Sequence, residues 1–235
     1  MDVRIKLFQD AADLSVMIEA HRRGLVDGFT TNPTLMRKAG ISDYKTFARK
    51  AIAAIPDLPI SFEVFADDFD IMEREAREIA SWGGDIYVKI PITNTKADSA
   101  APLIRKLSTE GFSLNVTAVL TLDQVETVAS AAAPGARMIV SVFAGRVADT
   151  GVDPVPMMKK AVGILKSLPN AELLWASPRE VLNVVQAQEC GCHIITATPD
   201  LLAKVSLLGT DLHAYSLQTV KMFHDDARAA GYKLV

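Results

Sequence analysis

Eight short apolar runs alternate with longer amphipathic stretches along this chain of 235 residues, and that alternation limits the folds it can adopt. Short β-branched runs between turn residues are typical of strands, and apolar residues spaced three or four apart are typical of helices. The predicted strands cover residues 4–9, 25–30, 60–66, 86–91, 112–119, 136–143, 171–177 and 192–198. Strands that alternate with helices predict a parallel sheet covered by helices.

Some helical stretches carry recognisable start signals. Thr121 and Gln124 have the spacing of a capping box. An N-cap residue type precedes a proline at the first helical position in two places, at Ser177–Pro178 and Thr198–Pro199. Asp10 follows the first strand and has the right residue type to cap the first helix.

The number of strand–helix units selects among the α/β folds. Eight units in a chain near 235 residues predict a (β/α)8 barrel, also called a TIM barrel. An open, doubly wound sheet is the alternative, and it usually has fewer strands and a glycine-rich first turn. The first predicted strand continues into FQDAADL, with neither a G-x-G-x-x-G motif nor a P-loop, which favours the barrel.

The barrel is predicted to occupy residues 1–210, which leaves residues 211–235 as one helix more than it needs. An apolar stripe runs along that additional C-terminal helix at Leu212, Tyr215, Val220, Phe223 and Ala227. We expect it to pack across the end of the barrel or onto another subunit.

Composition and charge exclude several classes of partner. A net charge of −3 suggests neither nucleic acid nor an anionic membrane, and no apolar run reaches the roughly 18–20 residues of a membrane span. The start, MDVRIKLFQD, has no signal-peptide pattern, so we expect a cytoplasmic location. Cys190, Cys192 and His193 lack a second cysteine pair, so we expect no metal, and we expect no other cofactor.

One predicted strand contains a lysine, although its apolar neighbours make a charged side chain unfavourable there. DIYVKIPIT, residues 85–93, is typical of a buried strand and has Lys89 at its centre. A buried ammonium is costly unless it is paired or gives up its proton. An edge strand protected by a charge is the structural explanation, and a reactive amine is the functional one.

Polar side chains recur at the carboxyl ends of the predicted strands, where barrels of this type place their chemistry. In chain order they are Asp10, Thr30, Thr31, Asn32, Glu63, Lys89, Asn115, Thr117, Ser141, Ser177, Thr196 and Thr198. Phe143, Arg146 and Arg179 follow in the loops. Glu63 and Lys89 lie on neighbouring strands, so we expect them to share a desolvated space.

Each of these residues also has a structural explanation. Asp10 and Ser177 suit helix N-caps, and Asn32 before a proline favours a turn. Glu63 and Lys89 suit a buried structural ion pair, and the two loop arginines suit solvated charges. Together, these explanations require many coincidences at one end of the barrel.

The functional interpretation needs fewer coincidences. A lysine amine in low-dielectric surroundings loses its proton more readily, attacks a ketone and forms an imine that accepts electrons. Cleavage of a carbon–carbon bond then needs a base, for which Asp10 is placed, and a positioned water, for which Glu63 and Thr117 are placed. The loop arginines, a serine and a helix N-terminus suit an anion site.

These motifs, in this order, resemble the transaldolase family of class I aldolases, which includes short transaldolases and fructose-6-phosphate aldolases. GFTTNPTLM is similar to the family's T-T-N-P motif, and YVKIPIT is similar to its Schiff-base motif. NVTAVLT, SVFAGRVADTG and ASPRE match three further signatures, so the resemblance covers nearly the whole chain. It implies an enzyme that acts on sugar phosphates without a cofactor.

The resemblance also implies a role for each candidate residue. Lys89 corresponds to the Schiff-base lysine, Asp10 to the general acid and base, and Glu63 with Thr117 to the pair that holds the catalytic water. The residues that correspond to substrate-binding positions are Thr31, Asn32, Asn115, Ser141 and Phe143, with Arg146, Ser177 and Arg179 at the phosphate.

Two positions help to choose within the family. Fructose-6-phosphate aldolases tend to carry glutamine and tyrosine where this chain has Glu63 and Phe143, whereas transaldolases carry glutamate and phenylalanine. The resemblance therefore favours a transaldolase, which transfers a dihydroxyacetone unit between sugar phosphates in the pentose phosphate pathway, over an aldolase that releases free dihydroxyacetone.

Three departures from the family pattern keep further alternatives open. No threonine or serine follows Asp10, and Trp175 and Pro178 stand near the anion end, where they are expected to reshape the pocket. A modified ketose, for example a sulfonated sugar, is one alternative, and a non-catalytic sugar-phosphate binder is another. The short family members form ring-shaped decamers, so the resemblance implies a homo-oligomer in which helix 211–235 packs on a neighbouring subunit.

Overall fold

A closed barrel of eight parallel strands forms the centre of the protein, with the strands in chain order around the ring. The computed structural model describes residues 2–234. The strands are β1 Lys6–Asp10, β2 Gly28–Thr30, β3 Ile60–Glu63, β4 Ile86–Pro91, β5 Leu114–Val119, β6 Met138–Val142, β7 Ala171–Trp175 and β8 Ile194–Ala197. Because β8 also pairs with β1, the predicted (β/α)8 barrel is confirmed.

Several strands are shorter than predicted because side chains take over their backbone hydrogen bonds. β3 ends at Glu63 rather than residue 66, since the amides of Phe65 and Ala66 donate to the carboxylate of Glu75 at 2.7 and 2.9 Å. β2 begins at Gly28 rather than residue 25, and the carboxylate of Asp27 accepts the amide of Leu7 at 2.8 Å. These exchanges shorten β2 at its amino end and lengthen the loop after β3 at the carboxyl end.

Helices surround the barrel and follow every strand. They are α1 Leu14–Arg22, α2 Pro33–Lys38, α3 Tyr44–Ala54, α4 Phe69–Ala80, α5 Ala101–Thr109, α6 Leu122–Ala131, α7 Ala144–Asp149, α8 Val155–Leu165, α9 Leu182–Cys190, α10 Pro199–Ala203 and α11 Leu212–Ala229, with a 3-10 turn at Lys204–Leu207. The capping box of Thr121 and Gln124 is confirmed. α10 begins at Pro199 as predicted.

One structural alternative, a cap by Asp10, and one predicted cap, Ser177, are wrong. Asp13, not Asp10, caps α1 through its side chain, and Asp10 is thereby free to face the barrel. Ser177 does not begin a helix, because its φ of 58° lies in the left-handed region and α9 starts only at Leu182. The intervening loop is held by Asn183, whose side chain accepts the amide of Arg179 at 2.7 Å.

Two apolar layers hold the barrel together. The larger lies between the strands and the helices, and the smaller fills the barrel interior. We call the interior layer the apolar plug; its residues are Phe8, Tyr87, Ile139, Leu174, Ala176 and Ile194. Gly28 makes room for it, since a Cβ atom there would lie 2.5 Å from the Phe8 ring. The plug closes the interior, so the barrel is a packed core with two separate ends.

The last helix, α11, stands apart from this packing. It spans 18 residues, and none of its described side chains is buried. Met1 and Val235, at the outer ends of the two predicted segments, lie outside the described residues. Among the helices of residues 2–234, none combines the length and apolar character that a membrane crossing requires.

Candidate active site

A cavity of about 530 Å³ opens at the carboxyl end of the barrel. Except for Thr31 and Asn115, its walls contain all the residues to which the family resemblance gives a role: Asp10, Asn32, Glu63, Lys89, Thr117, Ser141, Phe143, Arg146, Ser177 and Arg179. The remaining lining includes Thr30, Thr196, Lys38 and Ala176. The strand ends therefore bring together residues that are up to 186 positions apart in the chain, as from Asp10 to Thr196.

A larger cavity, of about 770 Å³, lies at the opposite, amino end of the barrel. Ion pairs already join its charged side chains: Lys6 with Glu172 at 2.7 Å and Arg137 with Asp85 at 3.0 Å. Both cations are more than half exposed, so water screens their charges, and the candidate residues from the sequence lie at the other end.

Lys89 lies at the floor of the carboxyl-end cavity, with only 6% of its surface exposed. β4 places it directly beside Glu63 of β3, because the two residues are register partners. Its Nζ atom lies 3.2 Å from Glu63 Oε2 and donates a hydrogen bond to the Thr31 carbonyl at 3.1 Å. The buried amine thus has one charged and one neutral partner. Its third hydrogen-bonding position is left for a molecule in the cavity.

Asp10 lies at the end of β1 and is held by hydrogen bonds from the T-T-N-P segment. Thr30 Oγ1 donates to its Oδ1 atom at 2.9 Å, and Asn32 Nδ2 lies 3.3 Å from both carboxylate oxygens. Burial raises the pKa of Asp10, and this effect exceeds the opposing influence of the Lys89 charge and of the bonds from Thr30 and Asn32. Such a carboxylate accepts a proton more readily than an exposed aspartate.

A layer of neutral hydrogen bonds lies just below the cavity floor. Ser141 Oγ donates to Asn115 Oδ1 at 2.7 Å, and Asn115 Nδ2 donates to Ser61 Oγ at 3.0 Å. Thr31 Oγ1 donates to the Ser61 carbonyl at 2.9 Å. Thr31 and Asn115 do not line the cavity, so they support its walls from behind while Ser141 reaches its surface.

A β-bulge places Thr117 at the cavity wall. Val116 pairs with Val140 and Val119 with Val142, so Thr117 and Ala118 of β5 stand opposite the single residue Ser141. Ala118 has a φ of 60°, which turns the strand at this point. Within residues 2–234 the buried Thr117 hydroxyl has no hydrogen-bond partner, so it is available to a molecule in the cavity.

Three cations lie at the outer rim of the cavity. The Arg146 guanidinium packs over the Phe143 ring, 5.2 Å from its centroid. Arg179 pairs with Asp149, with Nε donating to Oδ1 at 2.8 Å, and this pairing lowers the pKa of Asp149. Lys38 at the end of α2 is the third, and the sequence reasoning missed it because a helical lysine carries no motif.

The wall after β7 differs from the sequence expectation at one residue. Trp175 was expected to reshape the anion end, but it packs fully buried in the layer between strands and helices and does not reach the cavity. Ala176 and Ser177 line that wall instead. Alternation along the strand explains this, because neighbours in a strand face opposite sides.

The fold and the site together define a (β/α)8 barrel protein with a buried lysine–carboxylate centre at its carboxyl end. The family model described as Transaldolase/Fructose-6-phosphate aldolase matches residues 7–234. The chain therefore belongs to the transaldolase/fructose-6-phosphate aldolase family.

Curated relatives carry names that agree with this family. The chain is 34% identical over 231 residues to "Probable transaldolase" of Thermoanaerobacter sp., covering 98% of this chain and 100% of that one. It is 35% identical over 202 residues to "Probable transaldolase" of Dehalococcoides mccartyi, covering 86% and 90%. The family and these names indicate a transaldolase-type enzyme.

Solved structures of other barrel proteins share the fold at lower identity. Dihydrodipicolinate synthase from Rhodopseudomonas palustris superposes with a TM-score of 0.60 at 15% identity, over 95% of this chain and 80% of that chain. At this identity the likeness concerns the barrel fold alone.

Proposed function

We propose that this protein is a transaldolase that moves a dihydroxyacetone unit from a ketose phosphate to an aldose phosphate through an imine on Lys89. Fructose 6-phosphate and sedoheptulose 7-phosphate are the donors we expect. The observation that carries the proposal is the Lys89 amine, buried at the cavity floor beside Glu63 Oε2 at 3.2 Å. An amine held in a desolvated pocket within reach of a carboxylate suits nucleophilic attack on a ketone.

The reaction begins with formation of the imine. The neutral amine of Lys89 adds to the ketone carbon, and the ketone oxygen leaves as water once it has received protons. Glu63 lies next to Nζ and exchanges those protons, and the unpartnered hydroxyl of Thr117 supports the water. Hydrolysis of the imine at the end of the cycle uses the same groups in reverse.

Cleavage of the carbon–carbon bond follows. Asp10 takes the proton from the hydroxyl of the carbon that becomes an aldehyde, and the bonding electron pair moves into the imine to form an enamine. The raised pKa of Asp10 matches a group that must take up and return a proton. Asn32 and Ser141, at the cavity surface, are suited to hold the hydroxyls of the dihydroxyacetone unit.

The aldolase that releases free dihydroxyacetone is the second candidate. Phe143 favours the transferase, since its ring carries no hydroxyl that would protonate the enamine, and the enamine then waits for an aldehyde. Assays with and without erythrose 4-phosphate separate the two activities. Rapid donor cleavage without acceptor would reverse this preference, and Phe143→Tyr is expected to increase acceptor-independent cleavage.

The rim cations support an anionic group on the substrate. Arg146, Arg179 and Ser177 surround the outer cavity and suit phosphate, and a sulfonate has similar charge and geometry. A panel of ketose phosphates and sulfonates compared by kcat/KM identifies the anion. Binding of these sugars without any turnover would favour the non-catalytic binder instead.

We also propose that α11 packs on a neighbouring copy of the chain, in a cytoplasmic homo-oligomer. The support is its exposed apolar face, with Leu212 at 79% and Phe223 at 62% exposure. Light scattering after size-exclusion chromatography tests this with the double variant Val220→Asp, Phe223→Asp. A smaller particle is expected, and an unchanged mass would contradict the packing.

Borohydride trapping tests the central step. Incubation with fructose 6-phosphate and borohydride is expected to reduce the imine to a stable secondary amine on the peptide that contains Lys89, seen as a mass gain. Lys6→Ala, which removes an exposed lysine at the other barrel end, is the matched control and is expected to trap normally. Absence of the mass gain with active, folded protein would refute the imine.

A further inference from the structure

The hydrogen bonds between β2 and β3 change partners where the site begins. The Thr31 amide donates to the Ser61 carbonyl at 3.1 Å, as in a regular parallel ladder. The next bond of that ladder would run from the Glu63 amide to the Thr31 carbonyl. Instead, the Glu63 amide donates to the Tyr44 hydroxyl at 2.8 Å. The Thr31 carbonyl accepts the Lys89 amine at 3.1 Å.

Thr31 is firmly fixed at the end of this ladder. Both its amide and its hydroxyl donate to the same Ser61 carbonyl, at 3.1 and 2.9 Å. α2 begins two residues later at Pro33, with Asn32 as its cap. The Thr31 carbonyl therefore has a fixed direction, and only one of its two neighbouring donors occupies it.

Tyr44 is held equally firmly on the other side of Glu63. It is the first residue of α3, and its ring packs 4.6 to 6.0 Å from the ring centroids of Phe62, Phe65 and Trp82. Its hydroxyl also donates to the Glu63 carbonyl at 3.2 Å. Burial raises the pKa of Tyr44, so the hydroxyl keeps the proton that this bond needs.

We propose that Tyr44 is a positioning residue for the reaction of Lys89, an inference that rests on the proposed function. Its hydroxyl binds both backbone groups of Glu63, which fixes the carboxylate beside Nζ. By taking the Glu63 amide out of the ladder, it also leaves the Thr31 carbonyl to the Lys89 amine. Tyr44 thus sets both partners of the nucleophile without itself touching the substrate.

Loss of this hydroxyl disturbs Lys89 through the Glu63 amide in one of two ways. Either the amide is left without a partner, or it closes the ladder and competes with Lys89 for the Thr31 carbonyl oxygen. The first outcome loosens the Glu63 carboxylate, and the second displaces the amine. Both slow the chemistry at Lys89 and leave the rim that binds the anion unchanged.

The experiment compares Tyr44→Phe with Tyr87→Phe in the full-length protein. Tyr87 is the matched control, since its hydroxyl contacts Arg137 at 3.2 Å at the opposite end of the barrel. For Tyr44→Phe we expect kcat to fall about tenfold, as for a buried donor left without its partner, while KM changes less than about twofold. The rate of borohydride trapping in a single turnover should fall by the same factor.

The control is expected to keep the wild-type kcat. Thermal melts of both variants show how much of each protein is folded, and kcat is expressed per folded molecule. Equal kcat values for the two variants would overturn the positioning role. So would a Tyr44→Phe variant in which KM changes and kcat does not.

Wild-type trapping separates this inference from the proposed function. If the wild-type protein forms no imine, the proposed function fails. If it traps normally and Tyr44→Phe traps at the same rate, the proposed function stands and only the role of Tyr44 is refuted.

Discussion

The two ends of the barrel use the same residue types and reach different chemistry. At the amino end, Lys6 pairs with Glu172 at 2.7 Å, and the lysine side chain is 52% exposed. At the carboxyl end, Lys89 lies 3.2 Å from Glu63, and the lysine side chain is 7% exposed. The apolar plug separates the two pairs. An exposed pair contributes little beyond surface charge, whereas a desolvated amine with few partners provides the surroundings that the proposed nucleophile needs.

Replacing each lysine in turn is expected to give the largest difference between the two ends of the barrel. Lys89→Ala is expected to lower kcat/KM by more than about 10³-fold, because the nucleophile is lost. Lys6→Ala should stay within about twofold of wild type, because an exposed ion pair is worth little. Steady-state kinetics with fructose 6-phosphate and erythrose 4-phosphate measures both. Comparable losses in the two variants would mean that burial does not distinguish the two ends.

Removal of one carboxylate at each end is the next test. Asp10→Asn is expected to lower kcat by about 10²- to 10³-fold, since the amide cannot take up the substrate proton. Asp85→Asn, which loses an exposed pair with Arg137, should leave kcat unchanged. The trapped imine on Lys89 should still form in Asp10→Asn, because this variant stops after imine formation. Loss of both trapping and turnover would move Asp10 to an earlier step.

Removing the exposed ion pair at the rim is expected to have a smaller effect. If Arg179 binds the substrate anion as proposed, Asp149 competes for it, and both side chains are about half exposed. Asp149→Asn is expected to lower KM for a phosphorylated donor about two- to threefold, the size of an exposed pair. Unphosphorylated fructose is the control substrate and should show no change. An equal change for both sugars would show that Arg179 does not meet the phosphate.

The smallest expected effect concerns stability and pH. Between the ordinary aspartate value of 3.8 and the raised pKa of Asp10, the folded state binds more protons than the unfolded state. Stability contributed by this group therefore falls as pH rises through that window. Asp10→Asn removes the cost of burying this charged carboxylate, so the Tm of the variant at pH 7 should exceed that of wild type by a few degrees. Thermal melts from pH 4 to 8 check this, and a lower Tm for Asp10→Asn at pH 7 would contradict it.

Periodicity was sufficient to predict the barrel, and strand-end polarity was sufficient to predict most of the cavity wall. Lys89, Glu63 and Asp10 were predictable because each interrupts or ends an apolar run, which is unfavourable without a functional reason. The cap at Ser177 was wrong, since packing between two loops overrides a local N-cap preference.

The placement of Tyr44 beside Glu63 and of Lys38 at the cavity was not predictable from the sequence. Both belong to helices with ordinary composition, and their roles come from where the tertiary fold places one side chain. Asp149 is similar, because its pairing with Arg179 joins the end of α7 to the loop after β7, 30 positions apart in the chain.

Gly145 shows what such loop contacts imply for engineering. A Cβ atom at this position would lie 1.6 Å from the Ser177 carbonyl oxygen, so the chain after β6 and the chain after β7 touch with no space between them. The two walls of the rim are also joined by a hydrogen bond from the Gly145 amide to the Ala176 carbonyl at 3.3 Å. A library that aims to admit bulkier acceptors should keep Gly145 constant and vary side chains that point into the cavity, since even alanine there would push the Ser177 wall out of place.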